Sequence, residues 1–441
     1  MKPLILLVAA MAVSLNHAGG AAVQDREGAV RNDKAAMEKD SRWIYNDWQS
    51  GLAEGRKTGK PVMIVLRCVP CLSCLGIDAQ VLLQEDDIKP LMEKFVCVRV
   101  INANALDLSL FNFDYDLSFT TMFFNGDGTL YGRYGSWTHQ KNAQDKTTAG
   151  FKRALEGALE LHRGYPANKA VLAGKQSPKS TFKTPIDIPT LSGKYKVDLD
   201  WNGKVVPSCV HCHQIGDALR ANWRKTGETM PGDMIYPWPA AETIGAGLAG
   251  DSRARIESVT PKSIAANAGL RPGDEIMTLE GQPLLSAADF SWVLHRAPET
   301  GTLSALVRRD GREQTVRIDL PSAWRRKTDI SRRTGTWNFR GMAAGGLSLE
   351  DLPDAERTRR GLDSTQLALL VKYVGEYGKH AAAKKAGFRK DDVIIELQDV
   401  TGRLSESELL GQLLVKTKAG DKKEATVLRG TDRLKLVLPM Q

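Results

Sequence analysis

The stretch Lys60-Pro61-Val62-Met63-Ile64-Val65-Leu66-Arg67-Cys68-Val69-Pro70-Cys71-Leu72-Ser73-Cys74 decides how this chain is read. The apolar run 62–66 fits a buried strand. Arg67 follows, and three of the six cysteines then fall within seven residues. They form two overlapping C-x-x-C pairs, Cys68/Cys71 and Cys71/Cys74. The sequence after them suits a helix. Thiols where a strand passes into a helix are set up to react, because a helix N-terminus favours thiolate over thiol. Three chemistries fit these residues: redox exchange, a structural disulfide, or metal binding by the three thiols. Arg67 is placed to favour thiolate at a neighbouring cysteine.

With 441 residues and a formal charge of +9, the chain is long enough for about two to four domains. Lysine and arginine are spread along it without a nucleic-acid motif, which reads as a solvated basic surface. Residues 1–22 read as an export signal: Lys2, an apolar run over 4–15, then small residues to Ala22. That run is too short for a membrane span, and no later stretch is long and apolar enough. The expected location is periplasmic or secreted. In that oxidising space cysteines serve as disulfides, redox thiols or ligands.

Around the cysteine stretch the expected elements alternate. A helix runs from Ser41 towards Gly55, a strand covers 62–66, and helices cover 71–83 and 86–93. A strand over 95–100 carries Cys97, read as a buried inert thiol. Strands over 121–124 and 129–134 flank the turn Asn125-Gly126-Asp127-Gly128, and a helix covers 149–162. This order suits an α/β domain. With Lys60-Pro61 ahead of the first strand and the glycine turn ahead of the hairpin strand, residues 37–165 resemble a thioredoxin-like domain. The resemblance is to the kind found in exported bacterial proteins. It implies that Cys71 is the attacking thiolate and Cys74 the resolving thiol, with Cys68 an extra thiol upstream. Thioredoxins also place a cis-proline beside the redox pair, where this chain has Phe119 or Thr120.

Residues 166–196 are rich in proline, lysine, serine and threonine and read as a linker. Residues 197–240 contain Ser208-Cys209-Val210-His211-Cys212-His213. C-x-x-C-H is the attachment signature of c-type haem. Cys209 and Cys212 would bond the vinyl groups, and His213 would ligate the iron. Met230 or Met234 is the candidate second iron ligand. A plain disulfide or redox pair, or a zinc site, fits the same residues. With haem bound, His211 is expected to face solvent.

The C-terminal half contains a repeat. Residues 263–276 recur at 380–394, with Gly269 matching Gly387, Asp274 matching Asp392 and Ile276 matching Ile394. The glycine ends a short helix and the aspartate ties the following loop. Residues 241–322 resemble a bacterial PDZ domain, and residues 340–440 resemble a divergent second copy. PDZ domains bind peptides by strand addition to an exposed sheet edge. The resemblance places the first groove along Ile244, Gly245, Ala246, Gly247 and Leu248, opposite a helix over 286–296. In the second copy Gly346-Leu347-Ser348-Leu349 is the counterpart.

No serine-protease block occurs, although exported PDZ proteins are often serine proteases. The full order resembles an exported family of thioredoxin/PDZ fusions, some of which carry selenocysteine at the redox site. The expected fold class is an α/β thioredoxin-like domain followed by two mainly-β (α+β) PDZ-like domains. The expected function is an extracytoplasmic thiol–disulfide oxidoreductase that holds exported polypeptides or protein C-termini. Two alternatives stand beside it: a non-enzymatic PDZ scaffold with structural cysteines, and a small haem electron-transfer protein.

Overall fold

A computed structural model describes residues 25–69, 88–117, 119–135, 148–331 and 333–441. Cys71, Cys74, the expected helix over 71–83 and the expected export signal lie outside the described residues. The decisive apolar run becomes β2 (Val62–Arg67), buried at every position. It lies at the centre of a five-stranded sheet with β1 (Trp43–Tyr45), β3 (Val96–Val100), β4 (Phe119–Phe124) and β5 (Leu130–Tyr134), in the order β1-β3-β2-β4-β5. A strand covered on both faces has no exposed side, so its sequence is continuous rather than alternating. β3 runs parallel to β2, and β4 antiparallel, with Leu66 opposite Thr120 and Arg67 opposite Phe119. Cys97 is buried on β3, and desolvation pushes its thiol up to about 12.

The helix expected from Ser41 starts later. Residues 43–45 pair with β3 instead. Asn46 turns the chain with φ 58°, and Asp47 caps α2 (Trp48–Thr58) by accepting from Ser50 N at 2.9 Å. An aspartate is a strong N-cap, and Trp and Tyr favour strands, so the boundary falls between them. Ahead of the sheet, α1 (Arg26–Glu38) docks on its edge. Asp33 accepts from Arg99 Nε at 3.0 Å and from Tyr45 Oη at 3.0 Å. After β5, α3 (Thr148–Arg163) covers one face with Phe151, Ala154, Leu155 and Ala158.

Residues 166–196 do not stand away as a tether. Leu172, Lys175 and Ile188 are fully buried against the first sheet. Apolar residues spaced among the lysines and prolines pack here, although the average composition is that of a linker.

The next unit has a four-stranded sheet ordered β11-β10-β8-β9 and a separate β6-β7 pair. Its strands are β6 (Ala246–Leu248), β7 (Ile256–Val259), β8 (Glu275–Leu279), β9 (Gln282–Pro283), β10 (Gly301–Arg309) and β11 (Arg312–Leu320). The last unit has one sheet in chain order: β12 (Leu347–Asp351), β13 (Leu369–Val374), β14 (Val393–Leu397), β15 (Lys422–Arg429) and β16 (Asp432–Pro439). α4 (Cys212–Lys225) precedes the first of these units. α5 (Ala287–Arg296) packs in the first of them, and α6 (Thr336–Ala344) and α7 (Glu406–Lys416) in the second.

The repeat seen in sequence has a matching structural core. Asp274 accepts from Arg309 Nε at 2.6 Å, and Arg309 Nη2 also donates to Gly269 O at 2.8 Å. Asp392 accepts from Arg429 Nε at 2.7 Å, and Arg429 Nη2 donates to Gly387 O at 2.8 Å. In each copy the aspartate also takes the backbone N–H three residues earlier, Arg271 or Arg389, at 2.9 Å.

Buried charges join the units. Asp289 on α5 accepts from Lys175 Nζ at 2.6 Å and from Arg133 N at 3.1 Å. The Arg133 guanidinium stacks 4.1 Å from the Trp292 ring centre. Arg333, between the last two units, donates to Asp116 at 2.8 Å and to Asp114.

Candidate functional site

β2 delivers Cys68 one residue beyond its end, where the backbone leaves the sheet. Arg67 turns back, and its guanidinium donates to Cys68 O. The loop after β3 lies beside it and carries Asn104, which is fully buried. Asn104 Nδ2 donates to Lys196 O at 2.7 Å and to Ser208 O at 2.9 Å, and its Oδ1 accepts from Val210 N at 2.7 Å. One side chain thus fastens the C-x-x-C-H segment to the first sheet. From the other side Glu27 on α1 accepts from Val205 N at 2.9 Å and Val206 N at 3.1 Å.

This clamp brings the C-x-x-C-H segment to Cys68. Cys68 Sγ lies 3.2 Å from His211 Nδ1, although 143 positions separate them. The His213 ring stacks on His211 at 5.8 Å between centres. Cys68, Cys209, His211 and Cys212 all line one cavity of about 20 Å³. Apart from Arg67, its remaining walls are apolar, from β2, β3 and the loop after it, α1 and the 199–206 turn.

Burial sets the proton affinities here. Desolvation, with His213 and Arg26 nearby, pushes His211 down to about 4, so its ring is neutral at pH 7. At this distance the thiol and the neutral imidazole share a hydrogen bond, with Nδ1 the acceptor in the tautomer protonated at Nε2, and burial makes that nitrogen a weaker base than a free histidine. Burial also pushes Cys209 up to about 11 and raises Cys212 further from its ordinary value. Cys212 stands in the first turn of α4, where the helix terminus favours thiolate. The helix contributes at most about 2 kcal/mol, so desolvation wins.

The described residues do not fit a haem. Cys209 Sγ points at Ile101 O, 3.4 Å away, and Cys212 is 8% exposed among Val210, Ile215 and Leu66. A cavity of about 20 Å³ holds about one water molecule. Met230 is buried in the core of the last unit with Phe339 and Leu410, and Met234 packs against that same core. His211, expected at the surface with haem bound, is instead turned onto Cys68. Among the described residues, no group of three His, Cys, Asp or Glu side chains is arranged to hold a metal ion.

Sequence reading did not find Asn104, Glu27 or the role of His211. Asn104 and Glu27 act through backbone groups distant in sequence, and nothing local marks them. His211 carried one signal, its place between two cysteines.

The residues expected to line a peptide groove lie on a short turn and the strand after it. Ile244 closes a short turn at 241–244, Gly245 has φ 84°, and residues 246–248 form β6. Among the described residues β6 pairs with β7 alone, so its other edge is open. In the last unit the corresponding edge is engaged: Leu349 N on β12 donates to Glu406 Oε1 at 2.7 Å. Ser286 and Ser405 both cap their helices, so the position of Glu406 corresponds to Ala287 in the first unit.

Comparison with known families matches residues 43–126 to the thioredoxin-like family and residues 242–320 to the PDZ domain. The chain carries a thioredoxin-like domain and a PDZ domain. Among curated proteins it resembles the periplasmic serine endoprotease DegP of Salmonella typhimurium, 28% identical over 140 residues, 32% of this chain and 25% of that protein. It also resembles a protein of a Marinomonas species named "Probable periplasmic serine endoprotease DegP-like", 29% identical over 99 residues, 22% of this chain and 21% of that protein. The chain thus spans about a quarter or less of those relatives. A solved structure, the HtrA-type protease AlgW with decapeptide, matches at 17% identity and TM-score 0.21, over 31% of this chain and 40% of that one.

Proposed function

We propose that this protein is an extracytoplasmic thiol–disulfide redox protein that holds polypeptide clients through its PDZ domain. The observation that carries this reading is Cys68 Sγ at 3.2 Å from His211 Nδ1. A thiol that attacks a disulfide reacts as its thiolate, and an adjacent imidazole is one of the groups that promote that form. The thioredoxin-like domain fits that chemistry and the PDZ domain fits client binding. Cys71 and Cys74 take the attacking and resolving roles that the thioredoxin resemblance implies, and Cys68 joins them as a base-paired third thiol. Similarity to periplasmic proteins supports work outside the cytoplasm. The matching Asp–Arg cores support reading the last unit as a second, divergent PDZ domain. With Glu406 on the β12 edge, client binding is assigned to the first copy. Linked binding raises the effective concentration of a client disulfide at the thiols.

The test is turnover of a polypeptide disulfide by wild type and by the variant with Cys68, Cys71 and Cys74 all changed to Ser. The variant is expected to lose activity, and equal rates would overturn the reading. The open edge of β6 also suits a scaffold without redox activity. That second reading predicts that the same variant binds peptide normally while losing stability.

A further inference from the structure

We propose that Cys209 and Cys212 are an internal dithiol that exchanges directly with Cys68 and passes electrons from the C-x-x-C-H segment to the thioredoxin-like domain. This rests on the thiol–disulfide reading above. Three observations support it. Cys68, Cys209 and Cys212 open onto the same small, mostly apolar cavity. His211, the neighbour of Cys212, already touches Cys68. Asn104 and Glu27 hold the C-x-x-C-H segment against the first sheet, beside that cavity. Cys212 is nearly covered, while Cys68 and Cys209 are half-buried, so a client disulfide meets Cys68 or Cys209 before Cys212.

The exchange balances as follows. The Cys68 thiol gives its proton to His211 Nδ1, and its sulfur attacks one sulfur of the client disulfide. An S–S bond forms between Cys68 and the client, and the other client sulfur leaves as a thiolate that takes up a proton. Cys212, deprotonated in turn, attacks Cys68 Sγ. The second client sulfur leaves and is protonated, and a Cys68–Cys212 bond remains. Cys209 then loses its proton and attacks Cys212 Sγ, forming Cys209–Cys212, and the departing Cys68 sulfur takes up that proton to become a thiol again. Two electrons and two protons pass from the Cys209/Cys212 dithiol to the client. Burial raises both of these thiols, and more basic thiols form the more reducing pair, so this direction is the favoured one.

The test uses the full chain, reduced, with one equivalent of a small aromatic disulfide, followed by alkylation and peptide mapping. In the Cys71→Ser/Cys74→Ser variant Cys209 and Cys212 are the thiols left on the cavity to resolve Cys68. That variant is expected to release both aromatic thiols and to finish with Cys209 bonded to Cys212. Adding Cys209→Ser and Cys212→Ser should stop it at one released thiol, with the other bonded to Cys68. Wild type, mapped in parallel, needs no substitution and should also acquire Cys209–Cys212. The proposal is overturned if wild type reduces the disulfide while Cys209 and Cys212 remain open to alkylation, and the redox reading then survives. If wild type leaves the disulfide intact, the redox reading falls and takes the proposal with it. An iron-porphyrin absorption band with both cysteines in thioether bonds also overturns it.

Discussion

At the scale of single residues, His211 is where desolvation matters most. Its ring is held at about 4 by burial, against about 6.5 in an unfolded chain. The unfolded state therefore binds the proton more tightly. The stability tied to this residue is complete above pH 6.5 and is lost as pH falls towards 4. Buried His295 acts in the same direction. Asp217, pushed up to about 6 by burial, acts in the opposite direction in the same window. The useful quantity is accordingly a difference. Between pH 7 and 5, denaturant midpoints of wild type should fall more steeply than those of His211→Asn, and parallel curves would contradict this account. Cys68 stood out because three cysteines stand close together in sequence. Its contact with His211 did not, because the two lie 143 positions apart.

At the scale of elements, the repeated Asp–Arg core holds each loop against its sheet. Asp274 is 1% exposed and its carboxylate faces Arg309. Arg309→Ala leaves that carboxylate buried with a lost ionic partner and should cost about 2–3 kcal/mol, measured by urea unfolding. Arg429→Ala should behave alike in the last unit, and a cost below about 0.5 kcal/mol in either would contradict the assigned role. The repeat itself was legible from glycine, aspartate and the strand after them. The two arginines were not, because each lies on a later hairpin strand and only folding brings it back. Asn104 poses the same problem for the site. Asn104→Ala removes three hydrogen bonds from buried backbone and should loosen residues 197–212. Limited proteolysis should then cut that segment in preference to the rest of the chain.

At the scale of the whole molecule, buried ion pairs set one unit against another. Lys175 and Asp289 are both almost fully buried across the junction between the thioredoxin-like domain and the PDZ domain. Asp289→Ala leaves Lys175 and Arg133 without their carboxylate and should cost about 3–5 kcal/mol. In calorimetry it should also split one transition into two, because the domains would then unfold separately. A single unshifted transition would contradict that coupling. Residues 166–196 were misread for a related reason. Average composition says linker, but Leu172 and Ile188 are anchors spaced too widely to stand out. Domain order was legible from motifs, whereas domain contacts were not, since paired charges such as Asp114 and Arg333 carry no mark of their partner.

The central claim is that Cys68, paired with His211, is a reacting thiol. Its most direct test is the rate at which the reduced protein cleaves a small aromatic disulfide, compared across wild type, Cys68→Ser and His211→Asn. Cys68→Ser should remove the part of the fast phase that Cys71 does not carry, and His211→Asn should slow that part by about tenfold or more at pH 7. Identical fast phases in all three proteins would contradict the account.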